Sequence, residues 1–172
     1  MTDFKENLPL AKRIAAGVVA LSIVVIGPFK LGKLHTQALN VFKNGTQTAY
    51  TVSIYNDIRS AAEAANVLAG LAGDNTLKQL AQDITALDDP AALLETFYAL
   101  KSRADDVYTA YERTSPADLS EAKKALAQIN SAYTTIGNDS YWQYADKFNS
   151  ARSGFPAAIL AWLAGADELP DK

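Results

Sequence analysis

The sequence predicts an all-α fold, in which an N-terminal transmembrane helix continues into an elongated antiparallel three-helix, coiled-coil-like bundle. Three observations carry this. Ile14 to Phe29 is a run of sixteen residues without a formal charge, bracketed by Lys12 and Arg13 on one side and Lys30 and Lys33 on the other. Beyond it, apolar residues recur at intervals of three and four, which marks one face of a helix. Punctuation by Gly, Asp and Pro divides that remainder into three arms of about 40 residues, followed by a short C-terminal helical tail. The predicted organisation is therefore an N-terminal tail at 1–13, a transmembrane helix at 14–29 and a helical bundle domain at 31–172.

In the first segment, nine of the sixteen residues are Ile, Val, Leu or Phe. They favour insertion by about 3 to 5 kcal/mol before Gly17, Ser22, Gly27 and Pro28 are counted against them. Sixteen residues rise about 24 Å, less than a hydrocarbon core of about 30 Å, so Lys12, Arg13 and Lys30 must snorkel or the helix must recruit Leu8 to Leu10 and Leu31. A cleaved signal peptide and a buried core helix are the alternatives. Against the first, no small-x-small cleavage site follows; the run ends in Gly27-Pro28-Phe29-Lys30. Lys5, Lys12 and Arg13 before the span are balanced by Lys30, Lys33 and Lys43 after it, so charge does not set the orientation. Pro28 lacks the amide hydrogen that would bond Val24, which predicts a kink at the membrane exit.

The first arm, from Leu31 to about Leu71, has its seam at Tyr50, Ile54, Ile58, Ala61, Ala65, Leu68 and Ala72, with a weak point at Asn44-Gly45. Gly70, Gly73 and Asp74-Asn75 end it. In the second arm, Leu77, Leu80, Ile84 and Leu87 share a side; Asp89 then reads as an N-cap with Pro90 at the first helical position, making a kink near Pro90. Leu93, Phe97, Leu100, Ala104, Val107 and Tyr111 continue as a heptad seam. Ser115-Pro116 restarts the third arm, with Leu119, Ala122, Leu126, Ile129, Tyr133 and Ile136, then Tyr141, Tyr144 and Phe148 after a soft spot at Gly137-Asn138. Each arm measures roughly 60 Å if fully helical. Three passes starting at the membrane put the turn at Arg113 to Pro116 near the bilayer and the apolar tail Ala157 to Ala164 at the far end. That tail either packs over the end on Leu68, Leu71 and Phe155 or forms an exposed patch, Trp162 included, for self-assembly or a protein partner.

Composition limits the chemistry. Residues 31–172 hold 12 Lys and Arg against 17 Asp and Glu, which argues against nucleic acid as a partner. There is no cysteine, so disulfides, cysteine-ligated zinc and a thiol nucleophile are excluded. His35 lies close to the predicted membrane surface without an evident metal or nucleophile partner. Asp88-Asp89 and Asp105-Asp106 are sequence neighbours that point about 100° apart on a helix and do not share a site. No cofactor, catalytic or metal site is expected. Arg59 and Asn66, seven apart beside the apolar seam, are candidates for a polar layer that fixes register with Tyr144 or Asn149; a recognition surface is the alternative.

The stretch Tyr141-Trp142-Gln143-Tyr144-Ala145-Asp146-Lys147-Phe148-Asn149, followed by Phe155-Pro156 and Ile159-Leu160, resembles the closing motif of the LemA family. Upstream, Ala49-Tyr50 is similar to that family's Ala-Trp pair, Arg59 falls on the first arginine of its basic doublet, and Asn66 on its asparagine before an apolar pair. Ser60, Ala62, Ala65 and Trp142 depart from the pattern, standing where an arginine, an aspartate, a proline and an asparagine are expected, so the resemblance is to a divergent member. It implies a single-pass protein of a bacterial cell membrane with a long helical domain, and it transfers no catalytic residue. The expected role is that of a membrane-anchored helical scaffold, meeting the lipid bilayer through Ile14 to Phe29 and forming homo-oligomers or holding a protein partner. The alternative is a membrane-tethered sensing module that binds a small molecule or peptide between bundle helices. An enzyme is not expected, because no nucleophile, base and stabiliser converge in the sequence.

Overall fold

The computed structural model describes residues 28–46, 53–115, 119–154, 157–163 and 165–172. Among these residues every regular element is a helix: α1 at 28–44, α2 at Ile54–Ala72, α3 at Asn75–Ala86, α4 at Pro90–Thr114, α5 at Ser120–Gly137, α6 at Tyr141–Arg152 and α7 at Ala157–Leu163. The fold is all-α, a helical bundle. Of the predicted membrane span, 14–27 lies outside the described residues and Pro28 and Phe29 open α1. No helix among the described residues is long and apolar enough to cross a membrane.

Helix α2 is the centre of the bundle and packs against α3, α4 and α5. Its seam positions Ile54, Ile58, Ala61, Ala65 and Leu68 are all fully buried, and Ala62, Ala64 and Ala69 are buried beside them. Helix spacing depends on the side chains at the contact, so a stripe of alanine lets three neighbours approach one helix closely. Ser53 starts α2, its hydroxyl accepting the Asn56 amide hydrogen at 3.2 Å. Gly73 ends it in the left-handed region (φ 68°), a conformation that costs glycine no Cβ clash.

Asp74, the next residue, caps α3 by accepting the Leu77 amide hydrogen at 2.7 Å and also receives Arg103 of α4 through Nε at 3.3 Å and Nη2 at 2.5 Å. The Arg103 hydrogen bond holds the Asp74 carboxyl below the usual carboxylate range. A folded-state pKa below the unfolded one gives a contribution that is full above about pH 4 and lost as pH falls through the folded value. Asp74→Asn keeps a capping oxygen and removes the charge. It is expected to be less stable than the parent at pH 7, with the difference closing as pH falls from about 4 toward 2 in parallel urea melts. A difference constant over that range would show that the ion pair contributes nothing.

The second arm departs from expectation. Tyr55 donates to Asp88 at 3.0 Å and Arg59 to the Thr85 carbonyl at 3.3 Å, which puts the end of α3 against the start of α2. Arg103 on Asp74 puts the middle of α4 at the other end of α2. Helix α3 therefore runs antiparallel to α2, and α4 returns alongside it. The expected kink near Pro90 is a full chain reversal. Asp89 does cap α4, accepting from Ala92 at 2.9 Å, and Pro90 does occupy the first turn, but these residues restart a helix after the turnover rather than bend a continuous one.

That extra pass inverts everything downstream. Gln128 on α5 donates to the Ser60 carbonyl at 3.3 Å, the Phe42 and Tyr141 rings lie 5.2 Å apart, and His35 and Phe148 lie 5.0 Å apart. Helices α5 and α6 thus run antiparallel to α2 and α1, where three passes would have made the first and third arms parallel. The expected three-helix bundle of matched arms is replaced by α2 to α5 packed as a group, with α1, α6, α7 and residues 165–172 gathered at the end where α2 begins. The continuous arms are also broken, at Gly45 (φ 71°) and at Asn138, and the longest helix among the described residues has 25 residues, about 37 Å. Tyr133, placed in the seam by spacing, is 48% exposed and lies edge-on to Tyr98.

Candidate functional site

A recess lies where residues 165–172 cross α6 and α1. Helix α6 buries Tyr141, Trp142, Ala145 and Phe148, which turns Asn149 and Arg152 along its flank. After α7 the chain turns at Gly165 (φ 63°), and the Ala166 amide closes the turn on the Ala161 carbonyl at 3.0 Å. From there it runs without regular structure. The Asn149 side chain meets the Leu169 backbone on both sides: its amide donates to the Leu169 carbonyl at 2.8 Å, and its carbonyl accepts the Leu169 N–H at 3.1 Å. The same amide donates to Asp171 at 2.8 Å, and Arg152 donates to Glu168 at 3.0 Å. The side chains of Ala166 and Leu169 are buried.

Two openings flank this crossing. A cleft of about 170 Å³ is lined by His35 and Leu39 of α1, by Asp89 and Pro90 at the start of α4, and by Asp167 and Leu169 among others. On the other side a hollow of about 430 Å³ continues along α6, lined by Trp142, Gln143, Asp146, Asn149, Asp171 and Lys172. Burial lowers the pKa of His35, while the Asp167 charge works against that shift. Tyr141 is fully buried and its hydroxyl has no hydrogen-bond partner; burial, with the Asp171 and Asp89 charges, pushes its phenol above the usual tyrosine range. Asp139 accepts the Tyr141 amide hydrogen at 2.7 Å. Burial raises both Asp139 and Asp57, and Asp57 rises further because Asp139 is near.

The residues singled out from sequence do not come together. Arg59 bonds the Thr85 carbonyl, lies 3.9 Å from Asp88 and covers the Tyr55 ring at 4.5 Å. Asn66 is exposed on α2. Asn149 and the half-buried Tyr144 sit on α6, which the inverted third arm carries alongside α1 instead of α2, so no layer of Arg59, Asn66, Tyr144 and Asn149 forms. Phe155 lies outside the described residues, and Trp162 falls in α7. Of the tail Ala157 to Ala164, expected either on Leu68, Leu71 and Phe155 or as an exposed patch, α7 lies against α6, and residues 165–170 beyond it face His35 and Leu39. His35, expected to be an interfacial residue without a metal or nucleophile partner, packs its ring against Phe148 at a tilt of 51° and faces Asp167. Arg152, Glu168 and Leu169 escaped the sequence reading. The available signal was one Leu-Pro pair isolated among Asp167, Glu168 and Asp171.

No group of three or more His, Cys, Asp or Glu able to hold a metal occurs among the described residues. The chemistry on display is the reading of an extended backbone by an amide, with an arginine beside it. No family model, curated protein or solved structure matches the chain.

Proposed function

We propose that the chain is a membrane-tethered helical scaffold of the LemA type, which holds partners on its surfaces instead of transforming a substrate. The observation that carries this is the uncharged run Ile14 to Phe29 in the sequence, whose last two residues open α1. Phe29 is 78% exposed at the start of that helix, with Lys30 and Lys33 exposed beside it. An exposed aromatic next to lysines is the composition that suits a membrane–water boundary. The LemA reading rests on the ordered motifs from Ala49-Tyr50 to Phe155-Pro156 and Ile159-Leu160. The direction of the third arm adds a consequence: with α1 leaving a bilayer, α6, α7 and residues 165–172 return toward that surface, and the turn between α4 and α5 faces away from it.

Carbonate extraction of membranes from expressing cells tests the tether. The full chain is expected to stay in the pellet at alkaline pH, and Val19→Asp/Val24→Asp is expected to release it to the supernatant, since each central aspartate costs about 3 kcal/mol of insertion. Extraction of the parent chain by carbonate would overturn the reading.

A further inference from the structure

The contacts of residues 166–171 are those of a bound peptide. Asn149 reads the Leu169 backbone through both of its hydrogen-bonding groups, a pairing that any residue in extended conformation satisfies. Selectivity comes from what surrounds it. Leu169 fills a buried position beside Leu39 and Pro90, Arg152 takes the carboxylate before it, and Asn149 takes the carboxylate two residues after it. Pro170 has no amide hydrogen to satisfy and favours an extended Leu169 before it. The recess does not end at Asp171, because the 430 Å³ hollow past it is bordered by Trp142 and Gln143.

We infer that the groove between α6, α1 and the start of α4 is a receptor for an extended acidic–Leu–Pro segment of a partner protein, and that residues 167–171 are its resident ligand, competing in cis. The ligand class is set by charge and shape: a carboxylate for Arg152, a leucine for the buried position, then proline and a second carboxylate for Asn149. Tethering gives the resident segment an effective concentration in the millimolar range, so a partner displaces it only when abundant, multivalent or held nearby. This goes beyond the scaffold reading and does not depend on the tether, since it is measured on solubilised protein.

The test is a titration of the full chain in detergent micelles with a fluorescent peptide of residues 165–172. The parent chain is expected to bind weakly. Leu169→Asp, which expels the resident segment, is expected to bind the peptide at least tenfold more tightly, and addition of Asn149→Ala to that variant is expected to abolish the gain. A peptide with aspartate in place of its leucine should not bind. Unlabelled parent chain that competes for the groove of Leu169→Asp would identify a second copy as one source of the ligand and support the site. Glu168→Ala/Leu169→Ala serves as the milder release variant. If both release variants lose helicity, saturating peptide must speed hydrogen exchange at the Leu169 amide of the parent chain. Folded release variants that bind no more tightly than the parent, binding indifferent to Asn149→Ala, or an unchanged Leu169 amide would each overturn the inference.

Discussion

Replacing Phe97 by alanine is expected to lower the stability of the bundle by about 3 to 5 kcal/mol. Phe97 is fully buried on the face of α4 that also buries Leu93, Leu100, Ala104 and Val107, and α4 packs on α2, α3 and α5. Its ring therefore sits where several helices meet, and truncation leaves a cavity that none can close without leaving another neighbour. Tyr98, one residue on, is 42% exposed and meets the Tyr133 ring edge-on at 6.1 Å. Tyr98→Ala is expected to cost about 1 kcal/mol or less, the worth of an aromatic pair at the surface. Against a total stability of about 5 to 15 kcal/mol, the Phe97 loss is a large fraction and corresponds to a fall in Tm of roughly 10 °C. Urea melts with an unchanged slope give the comparison directly. Equal costs at Phe97 and Tyr98 would mean that α4 does not present this face to the core.

The two residues also show what the sequence made legible. Spacing alone separates Phe97 from Tyr98, because burial on a helix face is a local consequence of its period, and the seam of α2 from Ile54 to Leu68 was equally readable. Caps were readable for the same reason: Asp89, Pro90 and Gly73 act within a few residues of themselves. What could not be read was direction. Asp89-Pro90 starts a helix equally well after a kink or after a reversal; the choice is made by Tyr55 and Arg59, which reach more than twenty residues along the chain to Asp88 and Thr85. One extra reversal changes the parity of every later pass, which is why Asn149, whose spacing suits a layer with Asn66, lies with Leu169 instead. The groove itself had almost no periodic signal, since its ligand is an irregular acidic segment and its reader is a single asparagine.

Trp142→Ala is expected to cost a further comparable amount, about 3 to 5 kcal/mol, and to do so at the joint that positions the groove. Helix α5 stops at Gly137 and α6 starts four residues later with no cap bond from the Ser140 side chain, its first amide held instead by Asp139. The Trp142 indole, buried and edge-on to Tyr141 at 5.1 Å, donates back to the Ile136 carbonyl at 2.6 Å. One side chain of α6 thus bonds the last turn of α5 and sets the angle at which α6 departs. Trp142→Phe separates the two contributions: it keeps an aromatic ring in the site and is expected to cost about 1 to 1.5 kcal/mol for the lost hydrogen bond, because Ile136 still accepts from the Asp139 amide at 3.2 Å. Alanine removes the ring as well and frees α6 to swing, so the Leu169 amide, held by Asn149 about two helical turns along α6, is expected to lose hydrogen-exchange protection in Trp142→Ala and to keep most of it in Trp142→Phe. Loss of that protection in neither variant, with the melting cost present in alanine alone, would assign Trp142 to the core and leave the direction of α6 to Tyr141 and Phe148 against α1.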